Sequence, residues 1–90
     1  MKLIWAKRAR KDRCDIRDYI GQDKPSAALA MDHLFDEKAG LLKKFPLLGR
    51  AGFAPNTREL VVHHNYILIY KVRNEQIEIL RVMHTRRKPR

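Results

Sequence analysis

A chain of 90 residues has room for one folding unit with a modest core, so a single domain spanning residues 1–90 is expected. Its formal charge of +10, from 20 Lys and Arg against 10 Asp and Glu, works against compaction and makes nucleic acid, the ribosome or an acidic protein the natural partners. The lone cysteine, Cys14, excludes an internal disulfide framework, and no window approaches the ~20 apolar residues of a membrane span, so a reducing, cytoplasmic setting is expected.

Residues 2–6 read as a short strand, apolar at consecutive positions, which breaks at once into Lys7 and Arg8 and so lacks the form of a secretory leader. Residues 7–20 read as a helix. Ala9, Ile16, Tyr19 and Ile20 fall on one side, Arg13 interrupts that stripe with a stem able to snorkel over the core edge, and Gly21 is the expected stop. A second helix follows, with Asp23 as its cap and Pro25 in its first turn. Ala27, Ala28, Met31, Leu34, Phe35, Leu41, Leu42 and Phe45 recur at helical spacing until Pro46 ends the run, and the two helices should pack as an antiparallel hairpin.

Residues 47–56 form a loop punctuated by Gly49, Gly52 and Pro55. Beyond it, residues 58–62, 66–72 and 76–83 are rich in Val, Ile, Leu and Tyr, with turn-like separators at 63–65 and 73–75. This is an antiparallel meander. Its middle strand is apolar at each of residues 66–70 and should be central and covered on both faces. The predicted architecture is α+β in the order β-α-α-β-β-β: a helical hairpin packed on one face of a small, mostly antiparallel four-stranded sheet. A short basic tail follows from Thr85 to Arg90.

Charge is uneven along the chain. Residues 1–45 carry 11 Lys and Arg against 7 Asp and Glu, while residues 46–90 carry 9 against 3. Arg50, Arg58, Lys71, Arg73, Arg81, Arg86, Arg87, Lys88 and Arg90 are therefore the candidates for anion contact, either as phosphate ligands or as a solvated face that an acidic partner covers. His84, beside a run of arginines, could move a proton on RNA or simply hydrogen-bond a neighbouring loop. His63 and His64 are adjacent, so their side chains are expected to diverge, and no metal site is expected from His33, His63, His64 and His84. Cys14 has no base beside it in sequence and reads as a packing residue. There is no glycine-rich phosphate loop, no paired-cysteine motif and no nucleophile elbow, and no cofactor is expected. Met31, Phe35 and Phe45 read as core, as do Tyr66 and Tyr70, although their shared strand face would also suit base stacking.

The set Asn56-Thr57-Arg58-Glu59-Leu60-Val61-Val62, then Asn65-Tyr66-Ile67-Leu68-Ile69-Tyr70-Lys71-Val72, then Ile79-Leu80-Arg81-Val82-Met83-His84-Thr85-Arg86-Arg87 resembles the RelE/ParE superfamily of toxins from type II toxin–antitoxin systems. Gly49-Arg50 matches the family's loop element, and Ala9, Asp12, Ile16, Tyr19 and Ile20 resemble its first helix. The resemblance implies a toxin neutralised by an antitoxin encoded beside it; the charge of +10 calls for that antitoxin to be acidic and partly disordered, with apolar surface between the helices and the sheet edge as its expected docking groove. The resemblance also implies one of two activities: ParE-like poisoning of DNA gyrase, arresting replication, or RelE-like cleavage of messenger RNA on the ribosome. The nuclease set transfers poorly. Arg58 can stand for the basic residue of the second family strand and Arg86 for the arginine after the last, but Ile67 occupies the third-strand position where an arginine is expected, and no tyrosine follows Tyr70. Proton transfer would fall to His84 alone, with Arg86 and Arg58 supplying charge. The resemblance is therefore closer to the ParE-like members, with Arg50, Arg58, Arg81, Arg86 and Arg87 as expected target-binding residues.

Overall fold

The structure, a computed structural model, describes residues 1–87, the last by its backbone alone. Lys88, Pro89 and Arg90, the end of the expected basic tail, lie outside the described residues. The chain runs β1 (Lys2–Trp5), α1 (Lys7–Gly21), α2 (Pro25–Leu41), β2 (Arg50–Ala51), β3 (Arg58–His63), β4 (Tyr66–Arg73) and β5 (Gln76–His84), closing in a short 3-10 turn (Thr85–Arg87). Among the described residues, no helix is long and apolar enough to cross a membrane.

The sheet has five strands in the order β1-β5-β4-β3-β2, one more than expected. The extra strand is the two-residue β2, antiparallel to β3 with Arg50 opposite Glu59 and Ala51 opposite Arg58. Two residues cannot display the alternation by which a strand is recognised, so this segment reads as loop in sequence. The strand β1 joins the far edge, parallel to β5, from Lys2↔Gln76 to Trp5↔Ile79. The central strand β4 buries residues from both of its faces, as its uninterrupted apolar run implies. Tyr66, Leu68 and Tyr70 enter the core beneath the helices, and Ile67, only 1% exposed, is buried on the opposite face between its register partners Val61 and Met83.

The core joins Ala9 of α1, Phe35 and Ala39 of α2, and Leu42 to Leu60, Val62, Leu68, Tyr70, Ile77, Ile79 and Val82 of the sheet. Inward residues of β5 step by two from Ile77 to Ile79 and then by three to Val82, because a bulge intervenes. Ile69 pairs with Arg81 and Tyr70 with Ile79, so Leu80 is the extra residue. The last hairpin turns through Asn74 and Glu75, both at positive φ (52° and 60°), the conformation of a two-residue hairpin turn matched to strand twist.

Several local expectations are corrected. The helix α1 does stop at Gly21, but without a positive φ there: the carbonyl of Ile20 accepts the amides of Asp23 and Lys24 at its end. Asp23 does not cap α2: the cap position is Lys24, with no side-chain cap bond, and Pro25 opens the helix with its φ already set and no amide to satisfy. The helix α2 stops at Leu41 rather than reaching Phe45: the amides of Leu42, Lys43 and Lys44 bond the carbonyls three residues back, so the chain leaves the helix in tighter turns before Pro46. Phe45, expected in the core, is exposed, as are Ala27 and Leu41. Tyr19, on the flank of the Ile16–Ile20 stripe, is 73% exposed.

Candidate functional site

The cationic residues singled out in the sequence divide between opposite ends of the sheet. Arg50 and Arg58 sit at the end where β3 begins, Arg58 being paired with Tyr70. His84 and Arg86 sit at the other end, where His84 is paired with Tyr66. Along β4, Arg58 and His84 are thus offset by the four residues from Tyr66 to Tyr70, with Arg86 beyond His84.

At the first end, side chains of β3 and β4 hold the 46–57 loop. The buried Tyr70 hydroxyl donates to the Pro46 carbonyl at 2.9 Å and accepts the Gly49 amide at 2.9 Å. Gly49 is required by this close approach: a Cβ there would lie 2.8 Å from the Glu59 carbonyl and 2.8 Å from the Tyr70 ring. Arg58 donates to the Gly49 carbonyl at 2.8 Å and reaches the Leu47 carbonyl at 3.5 Å, so its guanidinium is committed to backbone oxygens. The carboxylate of the buried Glu59 accepts the Phe53 amide at 3.2 Å and pairs with the largely exposed Arg50 at 3.4 Å. Arg50 alone of this group offers much of its guanidinium to solvent.

At the second end, β5 outruns its neighbour. The strand β1 stops at Trp5, the Ala6 amide makes the last bond to the Ile79 carbonyl, and the chain turns into α1. The outer edge of β5 beyond this point would leave the Val82 amide without a partner. Asp12 of α1 fills the place of a strand: its Oδ2 accepts the Val82 amide at 2.9 Å and Arg81 Nε at 2.8 Å, and its Oδ1 accepts Arg81 Nη2 at 3.1 Å. The forked hydrogen bonding to Asp12 outweighs partial burial and holds the Arg81 guanidinium above its ordinary pKa. Arg81 is therefore engaged by a carboxylate. Beside this clamp runs a groove of about 780 Å³ between α1 and the ends of β4 and β5, with Ile16, Tyr19, Ile20, Tyr66, His84 and Arg86 among its lining residues. His84 Nδ1 accepts the Arg86 amide at 3.1 Å, and its ring meets Tyr66 edge-on with centroids 5.2 Å apart. The Arg86 side chain is exposed, and that of Arg87 lies outside the described residues.

His63 and His64 do not diverge. Their rings stack at 3.8 Å, and His63 Nδ1 accepts the Asn65 amide at 3.4 Å, folding the pair over the β3–β4 turn. Among the described residues, no group of three or more His, Cys, Asp or Glu could hold a metal ion. Arg13, read as a snorkelling stem, instead bolts the helices together. It bonds Asp32 Oδ1 at 2.9 Å, the Asp32 carbonyl at 3.1 Å and Asp36 at 2.8 Å, with its guanidinium 4.5 Å from the Trp5 ring centroid. Burial lowers its pKa, but the bonds to Asp36 and Asp32 more than reverse this, leaving it raised. Cys14 is exposed, not packed, and its sulfur lies 3.5 Å from Arg17 Nη2.

Tyr70 is buried as expected, but the polar bonds that it, Asp12 and Glu59 make were not expected from the sequence. The available signal was an acid on the core-facing stripe of α1 for Asp12 and a tyrosine on the core-facing side of β4 for Tyr70; Glu59 lies on the opposite face of β3 from Leu60 and Val62.

A family model described as the ParE toxin of the type II toxin–antitoxin system parDE matches residues 3–89. The Caulobacter vibrioides protein named Toxin RelE2 is 38% identical over 86 residues, covering 96% of this chain and 97% of its own. The solved structure titled as a chromosomal ParDE TA system from P. aeruginosa superimposes with a TM-score of 0.85 at 25% identity, over 93% of this chain and 95% of that one. The solution structure of the conserved hypothetical protein HP0894 from Helicobacter pylori shares the fold, with a TM-score of 0.61 at 20% identity over 96% of both chains.

Proposed function

Because this chain belongs to the ParE toxin family and is the toxin of a type II toxin–antitoxin system, we propose that it binds DNA gyrase and traps the enzyme on cleaved DNA, arresting replication until a cognate antitoxin removes it. The observation that carries this reading is the failure of the cleavage residues to converge. Splitting RNA by 2′-hydroxyl attack needs an acceptor, a donor and positive charge gathered around one phosphate. Here Arg58 is spent on the carbonyls of Leu47 and Gly49, Ile67 is buried at the third-strand position, and His84 with Arg86 stands at the far end of the sheet. Poisoning by docking asks none of this of the toxin's own side chains. The test is direct: purified toxin added to gyrase and supercoiled DNA should accumulate gyrase-linked double-strand breaks, and their absence at molar excess of toxin defeats the reading.

The antitoxin belongs in this reading as an acidic chain that folds onto the basic surface, with the groove beside α1 as its seat. One observation favours the rival activity, ribosome-dependent cleavage of messenger RNA. His84 and Arg86 are neighbours among the groove's lining residues, where His84 Nδ1 accepts the Arg86 amide. Primer extension on cellular messages after toxin induction separates the two. Cuts inside codons that disappear in Arg86→Ala belong to the nuclease.

A further inference from the structure

The loop at the Arg58 end is held rigidly, yet what it displays is apolar. Phe45 is 56% exposed, Leu47 64%, Leu48 48% and Phe53 63%. Loops of small proteins ordinarily carry polar residues to the surface, and leaving four large apolar side chains in water is unfavourable. The molecule nonetheless spends four buried or half-buried polar contacts on fixing this segment: Tyr70 to Pro46 and Gly49, Arg58 to Gly49, and Glu59 to Phe53. The backbones that carry Leu47 and Phe53 are thereby tied to consecutive β3 residues, Arg58 and Glu59. Apolar anchors preorganised on a rigid frame lose little conformational entropy on association, as the energetic centres of protein interfaces require.

The exposed charge carried by the loop and its flank is basic; the carboxylate at its base, Glu59, is buried and paired with Arg50. Lys38, Lys43, Lys44, Arg50 and Arg58 fall within residues 38–58, and that stretch contains no Asp or Glu. Lys43, Lys44 and Arg50 are exposed. A basic rim around apolar anchors is complementary to an acidic surface with an apolar cleft. The groove beside α1 lies at the opposite end of the sheet, so a partner seated on the loop leaves it open.

We propose that the braced loop, with Leu47 and Phe53 as anchors and Lys43, Lys44 and Arg50 as its charged rim, is the surface by which the toxin docks an acidic, apolar-lined surface of gyrase. This rests on the gyrase reading above. The occupant is a folded protein surface rather than nucleic acid, because Leu47 and Leu48 offer neither a ring on which a base could stack nor a donor for a phosphate.

The experiment compares wild type, Leu47→Ser/Phe53→Ser and Lys43→Glu/Lys44→Glu. Each is measured for binding to gyrase holoenzyme, for gyrase-linked breaks, for binding to the cognate antitoxin, for binding to phosphatidylglycerol vesicles and for thermal unfolding. Wild type should bind gyrase, and Leu47→Ser/Phe53→Ser should bind it at least about tenfold more weakly while keeping its antitoxin affinity and unfolding temperature. Lys43→Glu/Lys44→Glu should lose affinity chiefly through slower association, a loss that shrinks as salt rises. Wild-type binding that both variants retain overturns the docking surface and leaves the gyrase reading standing. A wild type that neither binds nor poisons gyrase overturns both. Loss of antitoxin or vesicle binding, with gyrase binding intact, reassigns the loop to that partner and overturns the proposal.

Discussion

Asp12 shows how one carboxylate can complete a sheet edge. It accepts the Val82 amide and both arms of the Arg81 fork, so its removal leaves a strand amide and a guanidinium without their partner. Asp12→Ala should cost about 2–3 kcal/mol, read as a lower urea midpoint with an unchanged slope. Asp12→Asn should recover part of this, because an amide oxygen can still take the Val82 hydrogen. Equal midpoints for wild type and Asp12→Ala would show that water replaces the carboxylate at no cost. The pH sign follows from Arg81 and Arg13, whose folded-state pKa values are raised. Such groups stabilise fully below their unfolded pKa and lose that contribution only as pH climbs through the folded value, in the strongly alkaline range. Their part in stability should therefore be flat across neutral pH.

At the level of elements, the β4–β5 hairpin carries a local conflict. Its turn needs positive φ at both central positions; Asn74 accepts this readily, whereas Glu75 at 60° does not. Glu75→Gly should raise stability by about 0.5 kcal/mol, the relief of strain exceeding the added freedom of the unfolded chain. A lower melting temperature for the variant would mean that the turn tolerates glutamate without strain. The elements themselves were legible because local signals announce them: the Ile16–Ile20 stripe, the unbroken run from Tyr66 to Tyr70, and Pro25 in the first turn of α2. What stayed hidden was decided by distant partners. The strand β2 exists only because β3 lies beside it, the bulge at Leu80 is a step of three in a pattern of two, and Tyr19 and Phe45 have apolar character without a neighbour to bury it. The site was less legible than the fold. Arginine marks a residue fit for anion contact, but Arg58 and Arg81 meet a carbonyl pair and a carboxylate, and sequence alone does not show which anion-like partner comes first.

Across the whole molecule, +10 of formal charge and an open groove describe a protein whose stability depends on its company. The cognate antitoxin should raise the unfolding temperature in proportion to the logarithm of its concentration above the dissociation constant, since it binds only the folded toxin. Raising salt should weaken the complex through its association rate more than through its dissociation. An unfolding temperature indifferent to antitoxin would contradict this. The pairing of β1 with β5 has a separate consequence for synthesis. The first strand finds its neighbour only when the last has been made, so contacts of the greatest sequence separation close the sheet, and they close it late. A chain still leaving the ribosome has its helical hairpin but no finished sheet for it to cover. Toxicity should therefore appear only once the last strand has left the ribosome, which is also the first moment at which an antitoxin that recognises the folded surface can take hold of it.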